Sequence, residues 1–536
     1  MEALNFIEVF EESVKKNRDS VAVKEYPGVS ITYSSLKNSI NELQEEWVSM
    51  GIGPNAKIGI CANNSINWLV VYFAAVSNGN TVVLFPTSFS SEKIVECLIH
   101  SDCEILYADN QFSSILTERF VEYECKILSI NNICLSSSTN SKAIYYHING
   151  VGKLDDEHIC TILYTSGSTG TPKGVMLSVR SISNNLQCYY DHPFAKDEIY
   201  HLNTILPYFH VFGLINDAIL PLCFGKELII SKLPNTSDNI IEIIHTYRPT
   251  YFFTLPLVVE NLVNSIITTT FIGGSDHLCI EVFENDKESI NKLRYNVLEV
   301  LGENFKAFYT GGAALSPNLK TILKAIDLPL ISGYGLSECG NLTIGTFTDK
   351  ENSCGRVYSR NLMRIDSEDS VNIPGEVQVK GNSVFSGYYK YNESTRKAFT
   401  DDGWFRTGDV GVIDSDGILT ITGRMKSVLL TSNGENIYPE ELEETMNASP
   451  FIKDSILVQR SEKLYAIVVP DREKAEADGL DAEGLNMKID EAVREASKQL
   501  PGFTIISGFE LRDEPLERTP KGSLKRYLYS DGIKEN

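Results

Sequence analysis

The sequence predicts an α/β protein, with a large N-terminal domain of layered α/β subdomains plus a β-rich subdomain, and a small α+β C-terminal domain. Three observations predict it. Short apolar runs suited to strands alternate with helix-like runs from about residue 20 onward. The texture changes between about residues 355 and 425, where GEVQVKG, GVIDSDGILTITGR and the turns Asp-Asp-Gly and Ser-Asp-Gly suggest antiparallel hairpins. After Arg424, a last segment of about 110 residues starts a new α/β pattern. A chain of 536 residues is too long for one compact core, because domains hold roughly 100–250 residues. The expected domains are 1–424 and 425–536.

The elements follow in order. KIGICA (57–62), TVVLF (81–85), EILYAD (104–109) and ICTILYT (159–165) read as buried strands, with the helical spacing of SSEKIVECLIHS (90–101) between them. Such alternation favours parallel strands. The window NWLVVYFAAVSNGNTVVLF is broken by Ser-Asn-Gly-Asn at 77–80 and reads as buried helix, turn and buried strand. It lacks the ~20 unbroken apolar residues of a membrane span. In the last segment SVLLTS, SILVQR and LYAIVVP read as strands, and PEELEETMNA and the region near 486–499 as helices. DREKAEADGLDAEG (471–484) reads as a solvated, charged linker.

Composition excludes some functions. A net charge of −23 argues against nucleic acid as a general partner, since phosphate binding needs a basic face. The N-terminus has no basic start followed by an apolar run, so no signal peptide is expected. Eleven cysteines without CxxC pairs suggest core thiols in a reducing, cytoplasmic setting.

Residues 164–177, YTSGSTGTPKGVML, carry the strongest chemical signal. Glycines let the backbone curl closely, hydroxyls add donors, and Lys173 adds a mobile positive charge. With a strand before it and the helix-like SVRSISNNLQCYY after it, the run suits a polyphosphate. It is not a Walker loop, because Pro172 stands where that motif needs its second glycine. A Rossmann GxGxxG is also absent here.

The run instead resembles the phosphate loop of the AMP-forming adenylating enzymes: acyl-CoA synthetases, peptide-synthetase adenylation domains and firefly-type luciferases. Five further segments resemble that family's landmarks in order: PYFHVFGL (207–214), YTGGAALS (309–316), GYGLSECG (333–340), GYYKYNESTRKAFTDDGWFRTGDVG (387–411) and GRMKSVLLTSNGENIYPEELE (423–443). The resemblance spans nearly the whole chain. It implies ATP-dependent activation of a carboxylic acid to an acyl-adenylate, then transfer to a thiol, most simply that of CoA. It implies ATP, Mg²⁺ and CoA (or the phosphopantetheine of a carrier protein), and a C-terminal domain that is mobile.

The resemblance also assigns residues. Thr165, Ser166, Gly167, Ser168, Thr169 and Gly170, with Lys173, would hold the leaving pyrophosphate. Glu338 would contact Mg²⁺, a hard cation that takes carboxylate oxygen. Ser337 would meet the α-phosphate. Tyr334 and Gly335, with Gly312 and Ala313, would line the adenine. Asp409 would take the ribose hydroxyls, and Arg424 would join it or grip phosphate. His210 would stand at the mouth of the acyl pocket. Lys426 matches the hinge, and Gly434 would face the pantetheine tunnel. The run Tyr208–Phe212 carries no acid to pair with an α-ammonium, and an unpaired buried ammonium is costly. A fatty or aryl acid is therefore favoured.

One landmark departs. RTPKGSLKR (518–526) matches a pattern in which position 523 holds a catalytic lysine, and here it is Ser523. Lys521 and Lys525 stand two residues to either side. If the segment is extended, all three point to one side, and Lys521 is the first substitute. Two alternatives follow: a protein that loads an acid onto a separate carrier protein, or a catalytically weakened acyl- or nucleotide-binding homologue.

Overall fold

The computed structural model describes residues 5–119, 125–135, 154–165, 172–190, 200–203, 206–270, 286–312, 317–345, 353–357, 361–430, 436–460, 463–500, 505–518 and 524–529. Two seven-stranded sheets organise the N-terminal part. In one, Leu330–Gly333, Ala307–Gly311, Tyr251–Thr254, Tyr200–Asn203, Glu227–Ser231 and Val21–Tyr26 lie side by side, pairing parallel, and Ser30–Thr32 closes the edge as a hairpin. In the other, Ile159–Thr165, Thr81–Leu84, Lys57–Cys61, Ile105–Ala108 and Lys126–Ser129 are parallel. The predicted strands are therefore present, and as βαβ units their two faces are covered by helices.

The helix Ile66–Ser77 shows why the most apolar window is no membrane span. Ser65 caps it by accepting from the Trp68 N–H, and its side chains from Trp68 to Val76 are buried in the core shared by both sheets. No helix among the described residues is long and apolar enough to cross a membrane. The described cysteines are free thiols.

Residues 343–424 form a six-stranded antiparallel sheet, ordered Thr343–Ile344, Ser353–Val357, Ile418–Arg424, Phe405–Ile413, Gly375–Gly381 and Asn361–Asp366. Ser-Asp-Gly turns the chain between two of these strands, with Gly417 at φ +77°. The C-terminal part has its own core. Ile452–Arg460 pairs antiparallel with Lys463–Pro470, and Ile506–Leu511 joins parallel. The helices Pro439–Asn447 and Ala482–Ser497 cover the sheet.

Three expectations change. The helix expected after the glycine-rich run is present, but a strand comes between them. Lys173–Ser178 continues as a strand antiparallel to Ile159–Thr165, and the helix Val179–Cys188 starts only afterwards. The strand's burial does not alternate, with Gly174, Val175, Leu177 and Ser178 buried and Lys173 and Met176 half-buried, so the pairing with Ile159–Thr165 sets it as a strand. DREKAEADGLDAEG is folded rather than a linker. Arg472–Ala477 is helical, Asp471 caps it from a buried position, and Ala475 lies in the C-terminal core. Among the described residues, SVLLTS contributes the two-residue strand Leu429–Leu430.

Candidate active site

Four of the charged residues singled out by the sequence, Lys173, Glu338, Asp409 and Arg424, lie near the two ends of the GYGLSECG segment. At one end, Thr165 and Lys173 are register partners across the hairpin. Lys173 Nζ sits 4.9 Å from the centre of the Tyr388 ring. Tyr388 lies on the short strand Gly387–Tyr388, which pairs antiparallel with Lys173–Ser178. Its phenol donates to Glu338 Oε1 at 2.9 Å. Burial and the Glu338 carboxylate both push the Tyr388 pKa up, so it remains a donor.

Glu338 projects from a tight turn between the paired strands Gly335–Leu336 and Gly340–Asn341. A Cβ on Gly335 would fall 2.2 Å from the Gly340 carbonyl oxygen, so the turn closes only with glycine there. The Glu338 carbonyl accepts from the Phe385 N–H at 2.7 Å. Ser337 is buried in the same turn.

At the other end, Tyr334 donates its phenol to Asp409 Oδ2 at 2.6 Å. Arg424 Nε lies 3.0 Å from Asp409 Oδ1, because the two residues are direct cross-strand partners. Asp409 is almost wholly buried, while the Arg424 side chain is 63% exposed. Burial raises the Asp409 pKa, with Arg424 and Tyr334 pulling it back. The Tyr334 N–H donates to Thr343 Oγ1 at 3.0 Å, which fixes the backbone beside its ring.

His210 starts a helical turn, and its ring centre lies 4.8 Å from that of Phe209. Phe212 comes within 3.6 Å of a Cβ built on Gly311, so this segment packs against the strand that leads to Gly312. Gly312 has φ +81°, a left-handed conformation that suits glycine. Behind His210, Asn216 and Asn341 exchange amide hydrogen bonds at 3.0 and 3.4 Å. The helical segment Leu214–Ile219 is thus tied to the Glu338 turn. That helix also buries Asp217, and burial, then the Asp217 charge, raise the pKa of Tyr208. The run Tyr208–Phe212 has no acid, but a carboxylate lies five residues beyond it.

Lys426 is exposed just past the last strand of the antiparallel sheet, where Met425 N–H donates to the Gly408 carbonyl. Ser166, Gly167, Ser168, Thr169, Gly170, Ala313, Gly434, Lys521 and Ser523 lie outside the described residues. The flanks of the last group are described. Arg518 and Leu524 form an antiparallel bridge. Lys525 Nζ is 3.0 Å from Glu517, and Arg526 pairs with the buried Glu443. Tyr388 is the contact that sequence reasoning missed. Its only signal was the tyrosine-rich GYYKY.

The described residues hold no group of three or more His, Cys, Asp or Glu side chains able to bind a metal. A single carboxylate with one oxygen already hydrogen-bonded suits Mg²⁺ that arrives on a nucleotide, since Mg²⁺ keeps waters and takes one or two carboxylates plus substrate phosphates.

The sequence matches the AMP-binding enzyme family over residues 10–389 and the AMP-binding enzyme C-terminal domain over residues 426–533. The chain belongs to the AMP-forming adenylating enzymes. This adenylating enzyme is 27% identical over 468 residues to the long-chain-fatty-acid–CoA ligase FadD15 of Mycobacterium bovis, covering 80% of this chain and 75% of that one. It is 26% identical over 590 residues to probable acyl-activating enzyme 16, chloroplastic, of Arabidopsis thaliana, covering 92% and 80%. Its fold is shared with ATP-bound MatB from Rhodopseudomonas palustris at TM-score 0.78, 21% identity and 98% coverage of each chain. It is shared too with the o-succinylbenzoate CoA synthetase of Bacillus subtilis in complex with an acyl-adenylate, at TM-score 0.77, 18% identity and 99% coverage of each chain.

Proposed function

We propose that this adenylating enzyme joins a fatty acid to CoA through an acyl-adenylate. The observation that carries the reading is the joining of two corners by one short segment. Tyr334, Asp409 and Arg424 form a nucleoside corner, and Lys173 and Glu338 form a phosphate corner. Attack of a carboxylate on the α-phosphate brings two anions together, so positive charge must be placed where negative charge builds. Lys173 serves the leaving pyrophosphate together with Thr165, Ser166, Gly167, Ser168, Thr169 and Gly170. Asp409 accepts from the ribose hydroxyls, and Tyr334 gives a face to the adenine with Gly335, Gly312 and Ala313. Glu338 would hold Mg²⁺, which neutralises phosphate charge when bound. Ser337 meets the α-phosphate, and His210 meets the acid. Lys521 supplies the charge that Ser523 lacks, with Lys525 held on Glu517. Lys426 and Gly434 serve the thioester step.

The lack of an acid in the run Tyr208–Phe212, and relatives named as long-chain-fatty-acid–CoA ligases, support a fatty acid. Buried Asp217 favours a second reading, an acid that carries a cation. The test is acid-dependent exchange of labelled pyrophosphate into ATP without CoA, across fatty, aryl and amino acids. Exchange with fatty acids alone supports the first reading, and exchange with amino acids alone the second. Silence across the panel would leave the weakened acyl- or nucleotide-binding homologue. Thioester assays with CoA and with a phosphopantetheinylated carrier protein then separate the two acceptors.

A further inference from the structure

Tyr388 touches both charged groups of the phosphate corner. Its hydroxyl holds one oxygen of Glu338 at 2.9 Å, and its ring face carries the Lys173 ammonium at 4.9 Å. The residue is itself firmly held. Its N–H donates to Thr395 Oγ1 at 2.9 Å, and the Phe385 ring packs against it with centres 4.9 Å apart. On either side the strap is sewn to the hairpin, with Ser386 N–H on the Met176 carbonyl and Tyr389 N–H on the Gly174 carbonyl. Further out, the Tyr389 hydroxyl and the Lys390 ammonium both grip Asp102. A rigid ring therefore stands between a flexible carboxylate and a flexible ammonium.

We propose that Tyr388 is a positioning residue that orients Glu338 and Lys173 before the magnesium nucleotide arrives. The inference rests on the function proposed above. Holding Glu338 Oε1 removes the rotation that would otherwise swing the second oxygen away. Groups that orient a metal ligand in this way typically change metal affinity 10–100-fold when removed. Over the ring, Lys173 keeps its charge in a site weak enough to be given up when phosphate oxygens arrive.

The test is ATP binding to the full chain by titration calorimetry over a range of Mg²⁺ concentrations, which needs neither the acid nor turnover. Tyr388→Phe keeps the ring and the Lys173 contact and deletes the hydroxyl. The expected result is a Mg²⁺ half-saturation raised about tenfold, with ATP binding in EDTA and the melting temperature as in the wild type. In a Glu338→Gln background the same change has almost no further effect on Mg²⁺ dependence, because the carboxylate that it orients is gone. Tyr388→Leu also weakens ATP binding in EDTA. Wild-type Mg²⁺ dependence in Tyr388→Phe, or effects of Tyr388→Phe and Glu338→Gln that simply add, overturns the proposal while leaving the function standing. A wild-type protein that binds ATP with no Mg²⁺ dependence removes the functional reading, and the proposal with it.

Discussion

At the scale of the residue, Asp409 illustrates how a site is held ready. A carboxylate this buried is costly unless hydrogen-bonded, and here Tyr334 and Arg424 share it. In the proposed role, two ribose hydroxyls donating to it would contribute about 2–3 kcal/mol, at roughly 1–1.5 kcal/mol each. Asp409→Ala should therefore raise the KM for ATP roughly 30–150-fold, measured by steady-state kinetics, and Asp409→Asn should fall between. The missing lysine at 523 is a second test at this scale. Lys521→Ala should lower pyrophosphate exchange about 100-fold or more, the loss typical of a group that stabilises transition-state charge. Lys525→Ala should cost much less, because Lys525 is engaged with Glu517. A large gain in exchange from Ser523→Lys would instead show that the native site is weakened. The ribose role proposed for Asp409 rests only on the order of the motifs. Its partnership with Tyr334, 75 residues away, was not legible at all.

Elements add a pH dependence. The helix Ser91–Ser101 ends in His100 and Ser101, and His100 Nδ1 lies 2.7 Å from the Tyr164 hydroxyl on the strand before the glycine-rich run. The His100 ring stacks on Tyr391 with centres 5.0 Å apart. Burial, then Lys390, lower its pKa from 6.5, with Asp102 and Glu96 opposing. A histidine depressed in the folded state contributes stability that is fully present above the unfolded value and lost as pH falls through the folded one. Urea midpoints should thus decline from about pH 6.5 downward, and His100→Gln should flatten that slope. The same element scale shows where pattern reading fails. KGVMLS was legible neither as a strand nor as the second arm of a hairpin, because its buried positions do not alternate and its partner strand sets it. The charged 471–484 segment hid the capped helix Arg472–Ala477 because its buried positions are few.

For the whole molecule, the two-part organisation rests on separate cores and on a hinge placed at Lys426 by motif order. If the C-terminal part turns there between the two half-reactions, fixing φ with proline should stall one of them. Lys426→Pro should keep acid-dependent pyrophosphate exchange and lower thioester formation about tenfold or more, measured on one preparation. The sequence by itself determined the layered α/β class, the antiparallel insertion, the separate C-terminal unit and the residue types of the site. Those features reside in periodicity, turn chemistry and motif order, which are local. Tertiary structure decided that the glycine-rich run joins two antiparallel strands, that Tyr334 meets Asp409, and that Tyr388 stands between Lys173 and Glu338. Each of these depends on sheet order and strand register, which bring distant segments together through the burial of whole faces rather than through any neighbouring residue.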